Sequence, residues 1–139
     1  MPVEYRILKD PTLVYIRYFA HIEPRDIINA LKAFAAEAAE YAQQPHFFDL
    51  SAVTSFEIDY TEFFKLLGQL VEAYPQSAGE HLCVFYAPDG PPAQLADVLR
   101  KPYADSDVML IRVARTREQA FDILGSTRSD LIRHMEAPA

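Results

Sequence analysis

The sequence predicts an α/β fold: a mixed sheet of five strands in the order ββαβαβαβα, with a layer of helices. Three observations carry this expectation. Short segments of alternating or continuous apolar residues recur along the chain, and segments of helical periodicity separate the later ones. The first two strand segments are joined only through Asp10-Pro11, a connection so short that they must be antiparallel neighbours. The later strands alternate with helical crossovers, the pattern of parallel pairing with right-handed connections. The first strand is therefore expected at or near a sheet edge.

Each element has its own reason. Val3 to Lys9 alternates, with Tyr5 and Ile7 on one face and Glu4 and Arg6 on the other, a half-buried strand. Asp10-Pro11 breaks it, because proline has no N–H to give and fixes φ. Leu13 to Phe19 follows as a second strand, apolar on nearly both faces. Pro24 stands at a helix-start position, and Glu23 and Asp26 place negative charge near that helix's N-terminus. Ile27, Leu31, Phe34, Ala35, Ala38 and Ala42 then recur at helical spacing over 25–42, with Arg25, Asn29, Lys32, Glu37 and Glu40 opposite.

Gln43-Gln44-Pro45 ends that helix. His46 to Leu50 is a short strand, Asp49-Leu50-Ser51 a turn, and 51–59 a loop. Asp59 or Thr61 can cap a second helix, with Tyr60, Phe63, Phe64, Leu67, Leu70, Val71 and Tyr74 on its inward face and Pro75 at its close. Leu82 to Ala87 is a continuous apolar run of the kind buried on both sides of a sheet. Pro88 to Pro92 turns into a third helix with Leu95, Ala96, Leu99 and Tyr103 inward. Val108 to Ala114 is the last strand. Thr116 caps a fourth helix through Leu124, Gly125 stops it, and Leu131, Ile132 and Met135 share one side of a short terminal helix over 127–136.

Composition bounds the class. The 139 residues fit one domain over 1–139, its core spanning 3–124, at roughly 100–200 residues per domain. Half the chain is hydrophobic and only 4 residues are glycine, which excludes a disordered or collagen-like chain. The longest apolar runs reach about half of the roughly 20 residues a spanning helix needs, so no transmembrane segment is expected. No signal peptide is visible, and a single cysteine fits a reducing cytoplasm. The net charge of −7 argues against nucleic acid as a partner. The charge is uneven: residues 1–99 carry 6 basic and 14 acidic groups, residues 100–139 carry 7 and 6. Such a field can orient a partner.

The middle of the chain resembles STAS domains, the fold of bacterial anti-sigma-factor antagonists. In these a strand ends in Asp-Leu-Ser, a short loop follows, and an Asp-Ser-Ser-Gly-like segment opens a helix. Phe47-Phe48-Asp49-Leu50-Ser51-Ala52-Val53-Thr54 is similar to that strand end, and Asp59-Tyr60-Thr61-Glu62 stands where the helix opens. The element order is similar to the family's over 3–124. The resemblance implies a STAS-like fold and a non-catalytic regulatory or protein-interaction module. In the family a serine at that helix N-terminus is phosphorylated by a partner kinase. Here the Ser-Ser-Gly is not retained: Tyr60 and Thr61 are the nearest hydroxyls, and Glu62 replaces the glycine. A lipid-binding branch of the same superfamily supplies the alternative, a small apolar or anionic ligand, by analogy.

Without the family, the same residues still mark a functional edge. Open α/β sheets bind ligands beyond the carboxyl ends of their parallel strands. Those ends are expected at His21, at Asp49 to Ser51, at Asp89-Gly90 and at Arg115-Thr116. The candidate binding or regulatory residues are thus Asp49, Ser51, Asp59, Tyr60, Thr61, Asp89 and Arg115. As ordinary caps and turn formers, Asp49, Asp59, Thr61 and Thr116 need no ligand.

No catalytic constellation can be read, so no enzymatic activity is expected. Glu57, Asp59 and Glu62 are better explained as an acidic helix start than as a cation site. The histidines at 21, 46, 81 and 134 lack metal-ligand spacing, so no metal and no cofactor are expected. His46 and His81, just before apolar strands, read as partly buried or edge residues. Cys83 inside an apolar strand reads as an inert thiol. Tyr15, Phe19, Phe47, Phe63, Phe64 and Tyr74 could line a pocket for an apolar ligand or simply fill the core. The partner expected is another protein, and an edge strand at the start of the chain would allow a homodimer.

Overall fold

The computed structural model describes residues 3–9, 12–30, 45–65, 81–101 and 109–125. Its strands are β1 (Val3–Lys9), β2 (Thr12–Ile22), β3 (His46–Phe56), β4 (His81–Tyr86) and β5 (Met109–Ala114). Helix α1 is described over 24–30 and α2 over 60–65. Helix α3 runs Pro91–Arg100 and α4 runs Arg117–Leu124. The expected parts of these elements at Leu31 to Ala42, Leu67 to Pro75, Tyr103, and the terminal helix over 127–136 lie outside the described residues.

The sheet is mixed and five-stranded, in the order β1-β2-β3-β4-β5. β1 is the antiparallel edge strand, paired from Val3↔Tyr18 to Lys9↔Thr12. The remaining pairs, β2 with β3, β3 with β4 and β4 with β5, are parallel. Successive strand residues point to opposite faces, so the two faces carry separate cores. On one face Val14, Ile16, Tyr18, Leu50, Cys83 and Phe85 pack with Ile27 of α1, Phe63 of α2, and Leu95, Ala96, Val98 and Leu99 of α3. On the other, Leu13, Tyr15, Phe47, Val84 and Ala114 pack with Ala120 and Phe121 of α4. The helical layer is thus divided between the two faces.

Local chemistry starts and stops the helices where the chain needs them. At α1 the Asp26 carboxylate accepts the Glu23 N–H at 2.9 Å. At α3 two prolines occupy the first turn, where their missing N–H groups cost nothing, after Gly90 at φ 99°. At α4 the Thr116 hydroxyl accepts the Gln119 N–H, and Gly125 ends the helix at φ 69°, a left-handed conformation that glycine adopts freely.

One strand differs from expectation. Asp49-Leu50-Ser51 does not turn the chain, and 51–56 is not loop: β3 continues to Phe56. Two register shifts against β2, between Arg17 and Phe19 and between Ala20 and His21, absorb extra residues of β3 as bulges. Asp49 Oδ1 accepts the Ser51 N–H at 3.0 Å, so the turn-like hydrogen bond is made within the strand. β2 correspondingly runs on to Ile22, with Ala20 at φ 59°.

Candidate functional site

The carboxyl ends of the parallel strands form a stepped edge. β4 and β5 end at the level of Asp49, since Asp49 pairs with Tyr86 and Tyr86 with Ala114. β2 and β3 continue beyond as a two-stranded ribbon to Ile22 and Phe56, held at its tip by the Glu57 N–H donating to Ile22 O at 2.8 Å. The candidate residues fall into three groups on this edge.

The first group sits at the step. Asp49 is buried, 4% exposed, in a central strand. Its Oδ2 accepts the Tyr15 hydroxyl at 3.1 Å, and its Oδ1 accepts the Ser51 N–H and, at 2.6 Å, the Ser51 hydroxyl. Tyr15 and Asp49 share a face because Tyr15 stands two residues before Arg17, the cross-strand partner of Asp49. Arg17 does not turn to the carboxylate. Its guanidinium lies 4.8 Å from the Phe19 ring centre and 3.9 Å from Glu4. Asp49 is therefore a structural acceptor inside the sheet, and only Ser51 of this pair reaches solvent.

The second group sits after β4 and β5. Arg115 donates to the Ala87 carbonyl at 3.2 Å and lies 3.5 Å from the solvent-exposed Asp89. Its backbone N–H donates to the Gln119 side chain at 2.9 Å. These bonds tie the turn after β4 to the start of α4.

The third group opens α2. The cap is Asp59, whose Oδ1 accepts the Glu62 N–H at 3.2 Å. Of the two expected caps, Asp59 and Thr61, it is therefore Asp59 that caps; Thr61 lies inside the helix and is exposed. Phe63 is buried as expected, but Tyr60 and Phe64, expected inward, are 54% and 44% exposed. Their rings lie 6.1 Å apart. The described turn of α2 is too narrow a contact to bury three aromatics; centred on Phe63, it leaves the flanking pair in water.

A fourth cluster was not legible in the sequence. His21 Nδ1 lies 2.6 Å from the Ser55 hydroxyl, and His21 Nε2 lies 3.6 Å from Glu57. The pairing His21↔Ser55 exists only because of the second bulge, and the two residues are 34 apart in the chain. The sequence puts His21 on the edge and reads Glu57 as part of an acidic helix start rather than a cation site. No spacing signal could have added Ser55. The imidazole is half exposed and the carboxylate more so, which leaves this array in water rather than in the desolvated setting that activates a serine. It fastens the ribbon tip.

The other expectations concern interior residues. His46 is fully buried at the start of a central strand, rather than partly buried or at an edge; its ring stacks 6.4 Å from Phe48. The side chain of His81 lies outside the described residues. Burial pushes the Cys83 thiol up to about 12, which keeps it protonated and unreactive. Of the aromatic set, Tyr15 and Phe47 belong to one core and Phe63 to the other, so they do not line a common pocket. Tyr74 lies outside the described residues. The depression among Pro24, Ile27, Ile28, Ile58, Asp59 and Phe63 holds no space the size of a water molecule. Among the described residues no helix is long and apolar enough to cross a membrane.

No family model and no curated protein matches the sequence. Solved structures do match the fold. One is an uncharacterised protein of the DUF3478 family with a SpoIIAA-like fold, from Shewanella loihica, with TM-score 0.54 and 8% identity over 88% of this chain and 91% of that one. Another is a candidate anti-sigma factor antagonist from Thermotoga maritima, with TM-score 0.51 and 14% identity over 88% and 93%. A third is the anti-sigma factor antagonist SpoIIAA in its unphosphorylated form, with TM-score 0.49 and 13% identity over 90% and 99%. The chain has the SpoIIAA-like, STAS-like fold that its element order resembles.

Proposed function

We propose that this chain is a non-catalytic regulatory module that binds another protein through the edge where β2 and β3 end and α2 begins. The observation that carries the reading is the exposed aromatic pair Tyr60 and Phe64 at the opening of α2. Aromatic side chains left in water next to each other are enriched where proteins dock, since they bring large contact area at low entropic cost. The fold supports the reading by analogy, as structures of this fold include a candidate anti-sigma factor antagonist. Ser51 and Thr61 are exposed at this edge and Asp89 and Arg115 are exposed after β4 and β5, where they can supply further polar contacts.

The test is a photo-reactive phenylalanine analogue placed at Phe64 and, as a control, at Asp122 near the far end of α4, each expressed in the native host. A discrete protein adduct from position 64 alone is expected. No adduct from position 64, or the same adduct from both positions, would count against the reading.

The alternative, a small apolar ligand, draws on the aromatic content of the chain. The packing of Tyr15, Phe47 and Phe63 into two separate cores favours the protein partner over it. Native mass spectrometry of freshly purified protein separates the two, because a retained small molecule adds a few hundred daltons at most and a second copy doubles the 15.8 kDa mass.

A further inference from the structure

We propose that this chain forms a two-fold homodimer in which the β1 strands of two copies pair antiparallel, centred on Tyr5, and join their sheets into one. This surface runs along the side of the sheet, away from the carboxyl-end edge assigned above to another protein, so the two readings stand independently. β1 is an edge strand: β2 pairs with one side of it, and among the described residues no strand pairs with the other. The N–H and C=O groups directed to that side can receive a further strand. The register against β2 also fixes the face on which each β1 residue stands. Tyr5 is opposite Ile16 and Ile7 opposite Val14, on the face of α1, α2 and α3, where Val3 packs against the core too. Glu4 is opposite Arg17 and Arg6 opposite Tyr15, on the face of α4. β1 therefore brings an apolar row on one face and a charged row on the other to the open side.

Symmetry and charge select the register. A two-fold axis between antiparallel strands keeps each sheet face continuous, so only residues of the same face can stand opposite one another. With the axis at Tyr5, Val3 meets Ile7 of the second copy and Tyr5 meets its own equivalent, which continues the apolar row. On the other face Glu4 meets Arg6, twice by symmetry. An axis at Glu4 would set that carboxylate against itself, and an axis at Arg6 would do the same to the guanidinium. Like charges directly opposite destabilise a strand pair. An axis at Ile7 runs Glu4 past the end of the facing strand and puts Arg6 opposite Leu8. The charges also fit a row already in the sheet. Asp49, Arg17 and Glu4 stand in line across β3, β2 and β1, and Glu4 lies 3.9 Å from Arg17. Arg6 of the second copy extends this alternation of sign by one strand. The opposite edge offers no such fit, because β5 contains Arg112 and no carboxylate to meet it.

The test is sedimentation of the full chain from micromolar to submillimolar concentration, together with charge-reversal variants. Wild type is expected to approach twice the 15.8 kDa mass of one chain. Arg6→Glu sets two carboxylates against each other across the seam, and Glu4→Arg sets two guanidinium groups against each other. Each change is expected to weaken the dimer about tenfold or more, since both symmetric pairs turn from opposite to like charge. An equal mixture of the two variants is expected to dimerise again, because each copy then meets opposite charge at both positions. Tyr5→Cys is expected to cross-link into a dimer on mild oxidation, because its two copies face each other across the axis, and Ile7→Cys is not. The native Cys83 is buried and does not compete.

A wild-type mass of one chain at every concentration would overturn the proposal. So would a dimer that Arg6→Glu leaves intact, a mixture that stays monomeric while both variants are folded by circular dichroism, or cross-linking of Ile7→Cys in place of Tyr5→Cys. If either charge variant does not fold, the comparison of Tyr5→Cys with Ile7→Cys decides. A monomer that still gives a protein adduct from position 64 would refute the dimer and leave the partner-binding reading standing.

Discussion

Replacing Asp49 is expected to be the most informative single change in the sheet. The carboxylate is 4% exposed and receives the Tyr15 hydroxyl, the Ser51 N–H and the Ser51 hydroxyl. Hydrogen bonds to a charged acceptor contribute roughly 1.5–3 kcal/mol each, net of water. The Ser51 side chain is exposed and can turn to solvent, so its bond adds little. Two bonds remain, and part of their contribution is offset by relief of the carboxylate's own burial. Asp49→Ala should therefore lower stability by about 2–4 kcal/mol. Asp49→Asn should cost less, about 1–2 kcal/mol, because its carbonyl still accepts the Ser51 N–H while its amide donates to a rotated Tyr15 hydroxyl. Tyr15→Phe should cost about 1 kcal/mol. Urea unfolding of the three variants and of the Tyr15→Phe/Asp49→Ala double variant measures these terms. The cycle should show a coupling of about 1 kcal/mol or more. An Asp49→Ala loss under about 0.5 kcal/mol, or single effects that add within about 0.3 kcal/mol, would refute the acceptor role assigned to this carboxylate.

Other expectations follow from single contacts. Asp59→Ala should cost about 0.5–2 kcal/mol through loss of the α2 cap, while Thr61→Ala, inside the helix, should stay within about 0.5 kcal/mol of wild type, both read by urea unfolding. Cys83 titrates near 9 when exposed and is pushed up to about 12 in the fold, so the unfolded chain gives up its proton first. Its contribution to stability is full below pH 9 and falls as pH rises toward 12, and iodoacetamide at mildly alkaline pH should label the urea-unfolded chain but spare the folded one. Gly125→Ala meets no neighbouring atom but must hold φ 69°, so it should cost about 1 kcal/mol, and a neutral result would show that α4 ends differently.

Much of the architecture was legible because it rests on local chemistry. Asp10-Pro11 required a tight reversal, and β1 and β2 pair across it from Lys9↔Thr12 outward. The apolar run at Leu82 to Ala87 became β4, flanked by parallel neighbours on both sides. Thr116 and Gly125 bound α4 as their hydroxyl and missing Cβ predict. Tertiary structure decided the rest, since it set local preference against pairing with a distant segment. Asp49-Leu50-Ser51 has the residues of a turn, but β2 offered a ladder to pair with, and two bulges let the strand keep its turn-like hydrogen bond and continue to Phe56. Those bulges brought Ser55 to His21 across 34 residues, a meeting without any sequence period to announce it. Helical spacing alone put Tyr60, Phe63 and Phe64 on one inward stripe. How wide a stripe the sheet can cover depends on how α2 sits against it, and that contact took Phe63 inside and left the two rings beside it in water.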